Sequence, residues 1–449
     1  MSYCKKIFLL WILSFITPLA SQEIPPLKYA IVSIYAVDTK TNQVLIDENS
    51  SLSLLPASCM KLITTAAALH LLGPDYRFET ELQYQGSIDS SKTLHGNLYL
   101  QGGGDPCLGS DRIEHSLSWE EQIEKWAQAV EKAGIKKIKG NILADTSKWE
   151  KALAVPSWLW EDLGNYYGAG ACALSFHENA YQLFFKPGKK ISEKAQILYT
   201  DPPLFDLTVH DDVLTAEEGS GDLACIYGTE FCQTQFIRGK IPIGKPEFMI
   251  QGAIPDPPNL TVNLLTKALE RRGIQVERGD LNLKTPRILL DTTYSPKLEE
   301  IVYWTNQKSI NLYAEHLLKK MGEISFEEGS TASGTQAVRE FWQSRQIDLG
   351  GSHIADGSGL SRKNLVTTKM LVQVLLEMKR SDLYPLFLKS LPVGKYEERA
   401  KSGSMSQTRG YAGYIDDIAF AILINHCESS SAMKEKIEEL LKTLKKHPI

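Results

Sequence analysis

Ser58 and Lys61 are the pair of residues best suited to covalent chemistry in this chain. They lie in the segment 56–61, PASCMK, which runs into the apolar, alanine-rich stretch 62–72 and stops at Gly73. Alanine and leucine favour a helix there, and Gly73 supplies the left-handed residue that ends one. Because residues three apart share one helical face, we expect the Lys61 amine within hydrogen-bonding reach of the Ser58 hydroxyl.

This spacing predicts an activated serine nucleophile. A serine hydroxyl reacts poorly until a neighbour accepts its proton, and a lysine accepts it only if burial or another cation lowers the lysine pKa. Apolar neighbours on both sides of Lys61 favour burial. However, about two Ser-x-x-Lys matches are expected by chance in a chain of this length, and two more do occur, at Ser2 and Ser431. The assignment therefore depends on further motifs.

Two such motifs are present. Ser309 and Asn311 belong to SIN (309–311), between segments of helical periodicity, and Lys401, Ser402 and Gly403 open a segment of strand character. Neither motif has a second copy. Ser-x-x-Lys, Ser-Asp-Asn and Lys-Thr-Gly are the motif set of class A β-lactamases and penicillin-binding proteins. Near-matches to all three in one chain favour a serine acyl-transfer enzyme.

The N-terminus predicts an exported protein. Two lysines precede an apolar run at 7–16 and a small-residue segment at 18–21, which is the layout of a signal peptide over residues 1–21. A retained membrane anchor is the alternative, but the run is short for a full span. Removing the leader moves the net charge from −5 to −7, which argues against nucleic acid as a partner. We expect a periplasmic or otherwise exported protein with at most peripheral membrane association. The lysine-rich terminal helix could make that contact, but its apolar stripe is better suited to packing against a sheet.

At 449 residues the chain is too long for one ordinary core, so we expect two or three domains. Apolar, β-branched runs at 30–37 and 43–47 are typical of a hairpin. Segments 129–142 and 268–281 share a helix, glycine, strand pattern, which indicates two matching halves of one inserted domain, with chance similarity as the alternative. Residues 181–252 are rich in strand and turn signals, and helical periodicity returns after them.

The cysteines do not indicate a metal site, and no motif calls for a cofactor. Cys225 and Cys232 would face each other across a hairpin that turns at residues 228–229. That geometry permits a disulfide, and free thiols are the alternative.

Taken together, the motifs resemble the class C low-molecular-mass penicillin-binding proteins, which are D-alanyl-D-alanine carboxypeptidases and endopeptidases. The chain departs from the family pattern at Ile310, where aspartate is frequent, and at Ser402, where threonine is commoner. Both departures keep the polar groups that the site needs. The resemblance covers nearly the whole mature chain and rests on PASCMK (56–61), GGGDP (102–106), NYYGAGA (165–171), SINLYA (309–314), DGSGLSR (356–362) and AKSGS (400–404).

The resemblance implies an α+β fold in which a domain like that of the serine β-lactamases, an antiparallel sheet flanked by helices, carries two inserted domains. We therefore expect residues 22–85 and 290–449 to form the DD-peptidase (penicillin-binding) domain. Residues 86–165 and 250–289 would form inserted domain II, and 166–249 the β-rich inserted domain III.

The resemblance also implies a catalytic role for each motif residue. Ser58 would attack the peptide carbonyl, with Lys61 as its base. Ser309 would pass a proton to the leaving amine, helped by Lys61 or Lys401. Asn311 would hold both the substrate backbone and Lys61.

Substrate-binding residues follow from the same resemblance. Lys401 and Ser402 would bind the free carboxylate of a D-Ala-D-Ala terminus, and Gly403 would leave room for the substrate backbone. The backbone N–H groups of Ser58 and Ser404 would hold the oxyanion. The diaminopimelate side chain of a stem peptide, which ends in an ammonium and a carboxylate, would meet a pocket formed by Asp145, Ser358, Leu360, Arg362 and Met405. Strand-end turn chemistry is the alternative for Asp145.

These expectations describe a serine-type D-Ala-D-Ala carboxypeptidase, with endopeptidase activity left open, that acts on peptidoglycan stem peptides and is acylated by β-lactams on Ser58. A β-lactamase is the rival enzyme. The chain has neither Tyr-x-Asn in place of SIN nor a Glu-x-x-Leu-Asn segment for deacylation. A catalytically inactive wall-binding scaffold is the third reading, which loss of a motif residue would have supported.

Overall fold

The computed structural model describes residues 27–279, 281 and 283–446. The predicted signal peptide lies outside these residues. None of the helices in the described ranges has the length and apolar composition needed to span a membrane. The helices there are α1 (Met60–Leu71), α2 (Trp119–Lys132), α3 (Trp160–Leu163), α4 (Pro257–Arg271), α5 (Leu298–Gln307), α6 (Asn311–Phe326), α7 (Thr331–Ser344), α8 (Thr368–Arg380), α9 (Tyr384–Ser390) and α10 (Ser430–Lys445).

The strands lie both before and after the run of helices α5 to α9. The strands are β1 (Ile31–Asp38), β2 (Val44–Glu48), β3 (Glu79–Ile88), β4 (Thr93–Gln101), β5 (Lys137–Lys139), β6 (Ile142–Asp145), β7 (Ala180–Lys186), β8 (Gln196–Asp201), β9 (Thr208–Ala216), β10 (Leu223–Tyr227), β11 (Thr234–Pro242), β12 (Phe248–Ala253), β13 (Gln275–Glu277), β14 (Arg287–Tyr294), β15 (Arg399–Met405), β16 (Thr408–Ile415) and β17 (Ile418–Asn425).

A five-stranded sheet in the order β15-β16-β17-β1-β2 joins the two ends of the described chain, and every neighbouring pair is antiparallel. The hairpin expected near the N-terminus, β1 with β2, is confirmed. The central strand β17 is buried along its length. Its alternate side chains point to opposite faces of the sheet, and helices cover both faces. Ala421 and Leu423 pack with α1 and α8, whereas Phe420 and Ile422 pack with α10. The terminal helix thus buries its apolar stripe against the sheet.

A six-stranded sheet contains the two predicted repeat units. Its order is β13-β5-β4-β3-β14, with β6 also paired to β4. β5 and β13 pair in parallel, and the helices that precede them, α2 and α4, pack together. Each helix is followed by a glycine in the left-handed region, Gly134 at φ 82° and Gly273 at φ 77°, where a side chain would be strained. The helix, glycine, strand repeat is therefore confirmed.

Two three-stranded sheets, β10-β11-β9 and β12-β7-β8, lie in the β-rich stretch of the chain. Some of the expected domain edges fall inside strands: 85/86 within β3, 249/250 within β12 and 289/290 within β14. β3 and β14 pair with each other in the six-stranded sheet. That sheet consequently begins earlier and ends later in the chain than the expected domain II, and the division into domains stays a prediction.

The hairpin expected to bring Cys225 opposite Cys232 is wrong in its register. Cys225 lies opposite Arg238, because residues 228–233 form a longer loop between β10 and β11. Glu230 in this loop accepts hydrogen bonds from two backbone N–H groups of the segment after β6. These bonds hold the loop against a neighbouring segment, so it does not close as a two-residue turn, and both cysteines are free.

The exposure of the free thiols predicts which of them react with an alkylating reagent. Alkylation of the native protein without reductant should label Cys225 and Cys232, which are partly exposed, whereas Cys59, Cys107 and Cys172 are buried and should react only after unfolding. Peptide mass spectrometry of the labelled protein measures both sets. Recovery of a disulfide-linked peptide that contains residues 225 and 232 would contradict the register.

Candidate active site

The Ser58 hydroxyl and the Lys61 amine are in contact, as the motif spacing predicts. Residues 57–59 form a short 3-10 turn that leads directly into α1. Lys61, in the first turn of α1, is fully buried. Its Nζ lies 3.0 Å from Ser58 Oγ, 2.6 Å from Asn311 Oδ1 and 2.8 Å from the Ser358 carbonyl oxygen. The first two motifs therefore meet at one amine.

The protonation of Lys61 follows from this environment. Burial, and after it the charge of Lys401, hold the pKa of Lys61 well below its usual value, against the opposing charges of Asp356 and Glu315. A neutral amine has two N–H groups and one lone pair. It can donate to the Asn311 and Ser358 oxygens while its lone pair accepts the Ser58 proton. The geometry therefore suits a general base.

The second motif forms the entrance to α6. Ser309 has a left-handed backbone at φ 58°, Ile310 precedes the helix, and Asn311 is its first residue. Ile310 packs against the hydrophobic core, so replacement of the more frequent aspartate leaves the polar site intact. Asn311 Nδ2 donates to the Tyr167 carbonyl oxygen at 2.8 Å, and this contact ties α6 to the segment before β7.

The third motif lies on β15, beside the nucleophile. Lys401 is buried, and burial lowers its pKa to about 8. Lys401 Nζ donates to the Ser402 carbonyl oxygen at 2.7 Å. A Cβ at Gly403 would come within 2.6 Å of the Pro56 carbonyl oxygen and 2.8 Å of the Ser58 nitrogen. The glycine expected to give the substrate room is thus required for β15 to lie against the nucleophile turn itself.

A cavity of about 380 Å³ opens above Ser58. Ser358 is fully buried and does not line this cavity, and its carbonyl oxygen accepts from Lys61 Nζ, so the structure does not place Ser358 in the expected side-chain pocket. Seven of the lining residues are assigned to the site from the sequence: Ser58, Ser309, Asn311, Leu360, Arg362, Ser404 and Met405. Tyr167 and Gly359 also line the cavity and lie in quoted motifs without an assigned role, whereas Glu161, Asp162 and Ser406 lie outside those motifs.

Asp145 does not line this cavity. It ends β6 in the six-stranded sheet, where its carboxylate pairs with Arg287 at 2.5 Å and accepts from the Ser147 N–H at 3.0 Å. The Arg287 guanidinium also lies 3.8 Å from the centre of the Tyr99 ring. The carboxylate is therefore satisfied within its own sheet, and the strand-end alternative describes it better than the substrate pocket.

The carboxylates that do line the cavity belong to Glu161 and Asp162. Burial, and after it the charge of Glu161, raise the pKa of Asp162 from its usual value, and Arg362 opposes that rise. Burial also raises the pKa of Tyr167, which hydrogen-bonds Asp162. Glu161 and Asp162 could have been proposed from the sequence because they lie just before NYYGAGA, in a stretch that the resemblance covers. In the described part of the chain, no cluster of three or more His, Cys, Asp and Glu could hold a metal ion.

A sequence model of the D-Ala-D-Ala carboxypeptidase 3 (S13) family matches residues 18–446. The chain belongs to this family. It is 28% identical over 441 residues to the D-alanyl-D-alanine carboxypeptidase of Actinomadura sp. (strain R39), covering 90% of this chain and 79% of the relative. It is 26% identical over 420 residues to the D-alanyl-D-alanine carboxypeptidase DacB of Haemophilus influenzae, covering 88% and 85%.

The fold also matches a solved structure. Penicillin binding protein 4 (dacB) from Haemophilus influenzae superposes with a TM-score of 0.79 at 23% identity, over 94% of this chain and 97% of that one. The likeness confirms the α+β fold. Family membership confirms the expected resemblance to the low-molecular-mass penicillin-binding proteins and the expected enzyme class, a serine-type D-Ala-D-Ala carboxypeptidase.

The two buried lysines predict a bell-shaped pH dependence. Only neutral Lys61 accepts a proton, so kcat/KM should rise with pH through its lowered pKa, well below the ordinary lysine range. Lys401, which we expect to bind the substrate carboxylate, would do so only when charged, so kcat/KM should fall above about pH 8 as that charge is lost. The measurement is kcat/KM for a carboxylate-ended peptide across this range.

The control is acylation by a penicillin methyl ester, which lacks the free carboxylate. Its rate should keep the rise with pH and lose the fall above pH 8. An identical alkaline fall for both compounds would show that Lys401 does not act through the carboxylate.

Proposed function

We propose that this protein removes the terminal D-alanine of peptidoglycan stem peptides through an acyl-enzyme on Ser58. The observation that carries the proposal is the contact of Ser58 Oγ with a buried amine of lowered pKa, at the base of an open cavity. A base of this kind makes a serine hydroxyl a nucleophile without histidine.

The acylation step uses the three motifs in turn. Lys61 takes the Ser58 proton as Oγ attacks the penultimate D-alanine carbonyl, and the N–H groups of Ser58 and Ser404 hold the resulting oxyanion. As the peptide C–N bond breaks, the leaving amine takes a proton from the Ser309 hydroxyl, which Lys61 then re-protonates. D-alanine leaves, and water hydrolyses the acyl-enzyme with Lys61 again as base.

Lys401 and Ser402 would favour substrates with a free C-terminal carboxylate. A charged amine and a hydroxyl beside the scissile bond match a carboxylate by charge-assisted hydrogen bonds. The same two groups would attract the carboxylate of a penicillin. β-Lactams are therefore proposed as acylating inhibitors that use the substrate's own contacts.

The cavity walls suit a side chain with two opposite charges. Asp162, with Glu161 beside it, would pair with the free ammonium of a diaminopimelate side chain, and Arg362 with its carboxylate. Leu360 and Met405 supply apolar wall for the methylene groups. A free ammonium marks an uncrosslinked end, so this pocket would direct the enzyme to pentapeptide termini and to cross-links that keep such an end.

Such a substrate lies outside the cytoplasmic membrane, and we propose that the protein works there, in the periplasm or an equivalent exported space. The signal peptide expected over residues 1–21 would carry it across. The described helices include no membrane span, and the packing of α10 on the sheet leaves its charged face for at most peripheral contact.

Mass spectrometry after benzylpenicillin treatment tests the acyl-enzyme. One adduct should appear, on the peptide that contains Ser58, and Ser58→Ala should abolish both the adduct and the release of D-alanine from a defined pentapeptide. An adduct on another serine would overturn the assignment. Binding to peptidoglycan with neither adduct nor D-alanine release would favour the inactive scaffold, and rapid turnover of a cephalosporin would favour the β-lactamase.

Asp162 and Asp145 give a matched pair of variants for the side-chain pocket. Asp162→Asn should lower kcat/KM for diaminopimelate-containing peptides by about ten- to a hundredfold, because one charge pair in a partly desolvated site is lost. Asp145→Asn should leave that value within about twofold, because Asp145 pairs with Arg287 in the same six-stranded sheet and does not line the cavity.

Benzylpenicillin lacks the side-chain ammonium of diaminopimelate, so its acylation rate distinguishes a loss of substrate specificity from a loss of folded enzyme. Its acylation rate should be unchanged in both variants. Equal loss toward peptide and penicillin in Asp162→Asn would assign that residue to the fold, and a selective loss in Asp145→Asn would restore the sequence-based assignment.

A further inference from the structure

A second cavity lies where the loop after β4, the start of α2 and the turn from β14 to α5 meet. It encloses about 350 Å³, within the range of about 300 to 1,000 Å³ typical of small-molecule sites. None of the residues placed in the active site lines it. Two of its lining residues are an acid, Asp105, and a base, Arg77, and neither forms an ion pair within the described part of the protein.

Asp105 is the buried member of this pair, with 2% of its surface exposed. One carboxylate oxygen accepts from the Cys107 N–H at 2.8 Å, and the other has no hydrogen-bond partner among the described residues. Burial raises the pKa of Asp105 to about 7. Its neighbour Gly104 is fixed on both sides, because its N–H donates to the Ala173 carbonyl and its own carbonyl accepts from His316 Nδ1 at 2.7 Å. The carboxyl group is thus held at the cavity with hydrogen-bonding capacity left over.

Arg77 is the exposed member. Its Nη1 donates to the Ser295 carbonyl oxygen at 2.7 Å, and it forms no ion pair with any described residue. The neighbouring charged groups are already engaged. Lys125 pairs with Asp291 at 2.9 Å, and Glu300 accepts from the Lys297 N–H at 3.2 Å as part of the cap of α5.

We propose that this cavity binds a small zwitterion of the amino-acid class, with its ammonium on Asp105 and its carboxylate on Arg77. An unpaired buried carboxylate is costly, and an ammonium that reaches it removes that cost. A guanidinium with free N–H groups binds a carboxylate through two parallel hydrogen bonds. Because the two side chains do not pair with each other, a ligand with only one charge leaves the other side chain unmatched.

The probes are D-alanine, L-alanine and the dipeptide D-alanyl-D-alanine, with ethylamine and propionate as single-charge controls. Titration calorimetry uses the full protein, with Ser58 first acylated by benzylpenicillin so that the active site is occupied. At least one zwitterion should bind with a dissociation constant on the order of 1 mM or below. The single-charge compounds should bind at least about tenfold more weakly, since each loses one charge-assisted contact.

Variants locate the bound ligand. Asp105→Asn keeps an acceptor for the Cys107 N–H and removes the charge, and Arg77→Gln removes the opposite charge; each should weaken zwitterion binding at least about tenfold. Glu114→Gln is the matched control, because Glu114 is an acid that lines the same cavity but is exposed, and it should change the affinity less than about twofold. Arg77→Gln keeps the test decisive if Asp105→Asn fails to fold.

The absence of zwitterion binding to the acylated protein at concentrations on the order of 10 mM would overturn the proposal. Binding that is unchanged in both charge variants would also overturn it, because the ligand would then lie elsewhere. Neither result bears on the acyl-enzyme, since acylation of Ser58 is measured separately by mass spectrometry.

Discussion

The site depends on one interaction, the burial of the Lys61 amine among three oxygens. Desolvation favours the neutral amine, and the three oxygens fix where its lone pair points. They come from the nucleophile turn, from α6 and from the turn around Ser358. Two buried acids hold that last turn: Glu315 accepts from the N–H groups of residues 357 and 358, and Asp356 from those of 359 and 361. The acids that position the base also moderate the fall in its pKa.

Close backbone approach explains why glycines stand on both sides of the nucleophile turn. A Cβ at Gly403 would meet the Pro56 carbonyl oxygen and the Ser58 nitrogen, and a Cβ at Gly359 would lie 1.8 Å from the Ala57 carbonyl oxygen. Gly359 also has φ at 86°, a conformation that side chains rarely adopt. The backbones of β15 and of the turn after Ser358 therefore contact the backbone of the turn that carries Ser58. This contact between backbones, more than any side chain, sets the distance between nucleophile and strand.

Much of this could be predicted from sequence because its causes are local. The Ser58 and Lys61 pair depends on helical spacing, the β1–β2 hairpin on two apolar runs, and the helix, glycine, strand repeat on a pattern repeated in the chain. The failures are tertiary. For Asp145, the sequence does not show that Arg287, far along the chain, pairs with it across the sheet, outside the lining of the cavity. Cys225 was misregistered because the contacts of Glu230 that lengthen the loop also come from a distant segment.

Hydrogen bonds to catalytic-site residues hold the segment that carries Glu161 and Asp162 in place. The segment that carries Asp162 is hydrogen-bonded to the catalytic machinery on both sides: Trp158 donates to Asp356 at 2.8 Å, and the Tyr167 carbonyl accepts from Asn311 at 2.8 Å. Asp356 holds the turn around Ser358, and Asn311 contacts Lys61. A shift of this segment would thus displace two of the three oxygens that contact Lys61 Nζ. The segment that carries Asp162 and the oxygens around the Lys61 amine belong to one hydrogen-bonded network, which links the position of the whole segment, though not the charge of Asp162 alone, to the position of the lysine.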